Sequence, residues 1–264
     1  LLYDDFSLML YPRPMTKLSV NLNKVALLRN SRGIDIPDVV NEGRICIAAG
    51  AQGLTVHPRP DQRHTKPSDV FALANLVNET PNIEFNIEGN PYPEFLELVQ
   101  KARPTQCTLV PDDPNQLTSD HGWDMIKEGE RLIPLIRELH DSDIRVSVFM
   151  DPVLDQIEKA CAIGADRIEL YTQPYDEAYG GAEGENVFSQ FAQAAKHAQG
   201  LGLGVNAGHD LNLDNLGKFL TIPNILEVSI GHALIADALH YGLETAVKMY
   251  LKITEAAEDD IVAA

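Results

Sequence analysis

Eight short runs rich in aliphatic and β-branched residues recur between positions 18 and 230, and most are separated by a stretch of helical periodicity. Parallel strands need a crossover long enough to return the chain to the same edge, so this alternation specifies a parallel sheet covered by helices. The strand pattern falls at 18–23, 53–57, 82–87, 106–110, 145–150, 167–171, 204–207 and 226–230. Helices are expected at 37–49, 68–77, 92–102, 125–139, 153–163, 186–198, 213–219 and 234–256. The last has the clearest period, with Leu239, Leu243, Val247 and Leu251 at i+4 spacing.

A faint internal repeat fits the same scheme. Ala48-Ala49-Gly50-Ala51 precedes one strand and Ala162-Ile163-Gly164-Ala165 another, each Gly placed to end a helix in the left-handed conformation. Eight such units favour a closed (β/α)8 TIM barrel, an α/β fold with extra helical segments, over an open doubly wound sheet. No Gly-x-Gly-x-x-Gly follows the first strand, which counts against a dinucleotide fold. The strand pattern begins directly after Met15. Residues 1–14 therefore read as an N-terminal extension and 15–264 as one barrel domain.

A chain of 264 residues, 44% hydrophobic, suits a domain with a substantial core. Its formal charge of −18 argues against nucleic acid and anionic membrane as partners, so an anionic substrate has to be met by a local basic pocket. Cys46, Cys107 and Cys161 are few, odd in number and far apart, which supports no disulfide framework and fits a reducing cytoplasm. No apolar run approaches a membrane span.

Alternation along the strands carries chemistry, because successive side chains face opposite sides. In the first strand Ser19, Asn21 and Asn23 oppose the aliphatic set, and in the third Glu84, Asn86 and Glu88 do so. Thr55 and His57, Glu169 and Tyr171, and Glu227 and Ser229 repeat the pattern. With the apolar side against the helices, the barrel interior is polar. The active site of such a barrel lies at the C-terminal strand ends. Those ends carry Asn21, Asn23 and Lys24, His57 and Arg59, Glu88, Asp112, Asp151, Tyr171 and Thr172, Asn206 and His209, and Gly231 and His232.

The densest cationic stretch runs from Thr55 to His64, with His57, Arg59, Arg63 and His64 within eight residues, and suits an anion. Gly231-His232-Ala233 opens the final helix, where free backbone amides form a phosphate site. In Asn206-Ala207-Gly208-His209-Asp210, Gly208 is expected to permit a turn that aims His209 inward. Glu84 and Glu169, inward carboxylates within strands, should have raised proton affinity unless an interior Arg or Lys pairs with them. No two His residues stand at the spacing of a zinc pair and the Arg residues near His57 repel a cation, so no metal is expected.

Together these segments resemble the pyridoxine 5'-phosphate synthase family of the deoxyxylulose-dependent route to vitamin B6. The matching stretches are Asn21 through Arg29-Asn30-Ser31-Arg32-Gly33, Thr55-Val56-His57-Pro58-Arg59 with Arg63-His64, Ile83-Glu84, Leu109-Val110-Pro111, Ile168-Glu169, Val205-Asn206-Ala207-Gly208-His209 and Ile230-Gly231-His232-Ala233. The resemblance implies a (β/α)8 barrel, commonly a homo-octamer, that joins 1-deoxy-D-xylulose 5-phosphate to 3-amino-2-oxopropyl phosphate. It implies His57 and Glu84 as proton acceptors, His209 as proton donor and Glu169 as transition-state stabiliser. It also implies Asn21, Arg32, Gly231 and His232 at the aminoketone phosphate, and Arg59, His64 and Thr118 at the deoxyxylulose phosphate.

The chain departs from the family pattern at Asn23-Lys24, where Asp-His is usual, and at Asp210, where Gly is usual. Lys24 can supply a phosphate-binding charge. Asp210 can offer its backbone amide if its carboxylate turns from the phosphate. The ring-forming chemistry moves protons at every step and asks for several groups of staged basicity, with no redox cofactor. The segment 175–185, with Gly180-Gly181, is expected to be a flexible cover over the substrates. Two rivals stand beside this reading: another phosphosugar enzyme of the isomerase or aldolase kind, and a non-catalytic phosphometabolite binder. An aldolase usually needs an inward Lys, and no strand is expected to supply one.

Overall fold

The computed structural model describes residues 15–114 and 116–262, with side chains placed through 256. Residues 1–14, read above as an extension, lie outside the described residues. Eight parallel strands close into a barrel in sequence order, β1 pairing with both β2 and β8. They are β1 Lys17–Asn21, β2 Gly53–Val56, β3 Glu84–Gly89, β4 Gln106–Leu109, β5 Arg145–Met150, β6 Arg167–Tyr171, β7 Gly204–Gly208 and β8 Ile225–Ile230. The helices are α1 Asn23–Asn30, α2 Val39–Ala48, α3 Pro67–Asn78, α4 Pro93–Ala102, α5 Met125–His140, α6 Leu154–Ala162, α7 Gln173–Ala178, α8 Gly184–Gly200, α9 Leu216–Phe219, α10 His232–Tyr241 and α11 Leu243–Val262.

The aliphatic face of each strand packs outward on the helices, giving one continuous core that includes Leu18, Val20, Leu54, Ile87, Leu109, Val148, Ile168, Val205 and Val228. The opposite face fills the barrel with polar groups, as alternation requires. Ser19 and Thr55 share a 2.7 Å hydrogen bond, Thr108 donates to Asn86 at 3.0 Å, and Arg167 donates to Asn206 at 3.0 Å. Internal pairing of this kind offsets the desolvation of polar groups that would otherwise be costly to bury.

The repeated glycines behave as their spacing predicts. Gly50 (φ 112°) and Gly164 (φ 91°) end α2 and α6, and the next residue in each case bonds back to a carbonyl five residues earlier. The final helix differs from the expected 234–256. It breaks at Gly242 (φ 81°) into α10 and α11, and Leu239, 77% exposed, falls off the buried face that Val247 and Leu251 occupy. The i+4 pattern crosses a break because period alone does not register a left-handed glycine. Two helices lacked a clear sequence signal, α1 with Lys24, Arg29 and two Asn residues, and the one-and-a-half-turn α7.

Candidate active site

The C-terminal ends of the strands surround a cavity of about 540 Å³, and the loops after β1, β2, β4, β7 and β8 supply its rim. Its lining includes Asn21, Asn23, Lys24, His57, Arg59, His64, Thr118, Glu169, His209, Asp210, Gly231 and His232. Two residues expected in the site are elsewhere.

Glu84 is the first residue of β3 and sits at the opposite, N-terminal end of the barrel, ion-paired with Lys17 and Arg145. Burial opposes ionisation of this carboxyl, but hydrogen bonds from Lys17 and Arg145 outweigh it and hold the group below the usual carboxylate range. The interior pairing weighed against a catalytic role for Glu84 is therefore what the chain forms. Lys17 does face inward at that end, contrary to the expectation that no strand supplies a lysine, but it is bound to Glu84. Glu88 is the carboxyl of β3 that reaches the cavity. Four residues along a strand keep the same face and move a side chain roughly 13 Å along it. Alternation found the correct face, and the turn signal Gly89-Asn90 was the clue to which Glu stands at the end.

Arg32, two residues past the end of α1 at Asn30, is exposed and does not line the cavity.

The centre of the cavity holds two buried carboxyls. Desolvation, followed by repulsion from Glu169, Asp112 and Glu227, pushes the Glu88 carboxyl well above its usual range. Burial and the nearby Glu227 push the Glu169 carboxyl up to about 8, although Thr108 donates to it at 3.4 Å. Asn21 donates to Glu88 at 3.4 Å. Near neutral pH this pair therefore retains protons, an arrangement suited to handing them on.

The imidazoles flank the carboxyls. His57 follows β2, and burial, reinforced by Arg59, His64 and Arg63, holds its proton affinity well below normal. His64 is lowered to about 4 by burial and by Arg59, Lys24 and Arg63. The amide of Thr65 donates to His64 Nδ1 at 3.0 Å, which leaves Nε2–H of the neutral ring as a donor. His209 stands at the end of β7 with its ring edge-to-face on Tyr171, centroids 5.2 Å apart, and its Nε2 is 3.1 Å from the Thr118 hydroxyl.

Arg59 pairs with Asp112 and donates to the Gln116 carbonyl at 2.8 Å. Arg63 donates to the carbonyls of Gln116 and Leu117. Both therefore hold the segment between β4 and α5 against the mouth. That segment carries Thr118, and it takes the covering place expected of 175–185. Tyr175 is instead buried between Phe191 and Phe219, with its hydroxyl donating to the Asn215 carbonyl at 2.8 Å, and this anchors α7.

Asn23 lines the cavity, but its side-chain oxygen accepts from the His57 amide at 2.8 Å and from Thr65 at 2.9 Å, so it fastens α1 to the loop after β2. Lys24 makes no ion pair among the described residues and leaves its ammonium for an anion. Gly231 caps α10, whose first amides have no intrahelical acceptor. Gly208 is not left-handed. The left-handed residues are His209 and Asp210, and Gly208 serves clearance, because a Cβ there would lie 2.2 Å from Glu169 Oε1. Among the described residues, no group of three His, Cys, Asp or Glu is placed to hold a metal ion, and no helix is long and apolar enough to cross a membrane.

A closed (β/α)8 barrel whose C-terminal mouth joins two proton-retaining carboxyls to imidazoles and a cationic rim is the frame of an acid/base enzyme for anionic substrates. The family model for pyridoxal phosphate biosynthesis protein PdxJ matches residues 18–256, and the chain belongs to that family. It is 54% identical over 246 residues to the pyridoxine 5'-phosphate synthase of Xanthomonas campestris pv. campestris (strain B100), covering 90% of this chain and 96% of that protein. It is 52% identical over 243 residues to the protein of the same name from Albidiferax ferrireducens, with the same two coverages. Among solved structures, thiamine phosphate pyrophosphorylase from Pyrococcus furiosus superposes with a TM-score of 0.61 at 14% identity, covering 92% of this chain and 96% of that one. Phosphoribosyl anthranilate isomerase from Thermotoga maritima gives 0.60 at 14% identity, over 92% and 100%. At that identity the likeness is one of fold alone.

Proposed function

We propose that the protein is a pyridoxine 5'-phosphate synthase, condensing 3-amino-2-oxopropyl phosphate with 1-deoxy-D-xylulose 5-phosphate to pyridoxine 5'-phosphate, phosphate and water. The observation that carries this reading is the joint placement of Glu88, Glu169, His57 and His209 in one cavity with a cationic rim. Ring formation from an amine and two carbonyl carbons requires repeated proton removal and return, and two carboxyls raised and His57 lowered in proton affinity by burial divide that work with His209.

In this reading His57, neutral in the free protein, takes protons. Arrival of phosphate anions offsets the Arg59 and Arg63 charges that depress its basicity, so the base strengthens when substrate binds. Glu88 takes the part that the resemblance implied for Glu84. It donates a proton first and accepts one afterwards, with Glu169 beside it so that a single negative charge is shared by the pair. His209 takes protons at Nε2 and returns them from the β7 side. The α10 amides at Gly231 and His232, with Asn21, hold the phosphate of the aminoketone, while His64 Nε2–H and Lys24 hold that of the sugar, joined by the Thr118 hydroxyl once it turns from His209. Association into a homo-octamer and a cytoplasmic setting belong to the same proposal, through the family.

The test is incubation of the purified protein with both phosphorylated substrates and detection of pyridoxine 5'-phosphate. Formation that depends on both substrates, and is lost in Glu88→Gln, supports the reading. Binding of either substrate without product would leave the protein as a phosphometabolite binder.

A further inference from the structure

Strand β7 ends on two consecutive left-handed residues, His209 at φ 82° and Asp210 at φ 61°. Glycine takes this shape freely and residues with a Cβ take it at a cost, so a side chain kept here twice in succession calls for a use. At Asp210 the use is visible, for its Oδ2 lies 2.9 Å from His209 Nδ1. On the other side of the ring the Thr118 hydroxyl lies 3.1 Å from Nε2. A neutral imidazole satisfies both contacts in one tautomer: Nδ1–H donates to the carboxylate, and the hydroxyl donates to the Nε2 lone pair.

We propose that Asp210 is a positioning residue that acts through His209, locking the imidazole as its Nδ1–H tautomer so that Nε2 is the atom presented to the cavity for proton transfer. This rests on the acid/base reading given above. The surroundings favour an ionised Asp210. The hydrogen bond from His209 holds its carboxyl below the usual range against partial burial, and His232 from α10 and Lys24 from α1 add to the effect. Tyr171 of β6, packed edge-on to the ring, and Thr118 are the other groups on His209, with Asp120 acting on Tyr171 from the same side. Lys24 thereby has a second duty. It offsets a carboxylate that would otherwise repel phosphate from the same cavity wall.

The test is Asp210→Gly, which removes the carboxylate and relieves the left-handed backbone, with Asp210→Asn as the conservative variant. Nitrogen-15 spectra of the histidine-labelled, substrate-free protein at about pH 8.5 should show His209 as Nδ1–H in the wild type and mainly Nε2–H in Asp210→Gly. Turnover should fall about tenfold in Asp210→Gly with KM changed less than about twofold, and Asn should restore part of it. The thermal midpoint should change little, since relief of the left-handed strain opposes loss of the carboxylate–imidazole contact. An unchanged tautomer in Asp210→Gly overturns the proposal, whatever happens to turnover, and so does wild-type turnover in that variant. Absence of pyridoxine 5'-phosphate formation by the wild type would instead sink the functional reading, and the spectra would still decide the role of Asp210.

Discussion

Replacing Glu169 by Gln should stabilise the protein while disabling it, and the two effects should separate with pH. The folded chain keeps the Glu169 proton up to about pH 8, whereas an unperturbed carboxyl releases it near the usual 4.5. Between those values the folded state binds more protons than the unfolded state, so each unit rise in pH weakens folding by about 1.4 kcal/mol through this group. From 4.5 to 7 the loss reaches about 3 kcal/mol. A neutral amide of the same shape removes that dependence and can still accept from Thr108. In a chain of this size the gain corresponds to a rise of roughly 6–12 °C in the unfolding midpoint at pH 7. Urea unfolding of both proteins at pH 4.5 and at pH 7.5, at equal protein concentration, provides the assay. The curves should nearly coincide at the lower pH and diverge at the higher, while Glu169→Gln loses roughly a hundredfold or more in turnover. A variant equally destabilised at both values would show that Glu169 is not held protonated by burial, and the assignment of the carboxyl pair would fall with it.

The two glutamates of β3 should behave oppositely. Glu84→Gln should lower stability by breaking the Lys17 and Arg145 pairs and keep turnover within a few-fold, whereas Glu88→Gln should cost about a hundredfold or more in turnover with folding intact; the reverse outcome in steady-state rates and melting would exchange their roles. Lys24→Ala should raise KM for one phosphorylated substrate, and equal KM values for both would remove Lys24 from the rim. Crystals soaked in phosphate should show an anion on the Gly231 and His232 amides, and an anion bound only elsewhere in the mouth would displace the assigned phosphate site.

The barrel was legible because strand and helix periods alternate eight times, and the polar interior followed from the same two-residue period. Chain direction was harder to turn into height. Glu84 and Glu88 satisfy one alternation pattern, which alone does not give them different heights; Glu88 read as a strand end beside Gly89-Asn90, and register, Glu84 opposite Gly53 and Glu88 opposite Thr108, fixes both. His57, Glu169 and His209 were found because each lies at or beside the last inward position of its strand. Arg32 entered through the resemblance alone, and a motif match does not fix where a loop side chain points. The covering segment was misplaced because Gly180-Gly181 suggested mobility, while the Tyr175 ring, an anchor from a distant aromatic cluster, has no local signature. Asn23 read as a ligand group because an amide at a strand end serves a substrate or a neighbouring loop with the same atoms.

Gly208 links two positions that sequence keeps 39 residues apart, because the volume of the Glu169 side chain is written into the missing Cβ of its neighbour on β7. In genetic terms this is a one-way dependence. Alanine at 208 would force the Glu169 carboxyl, the far end of a flexible side chain, out of its place in the cavity, whereas shortening residue 169 asks nothing of 208. Glycine at 208 thus leaves the carboxyl free to stand where the cavity needs it.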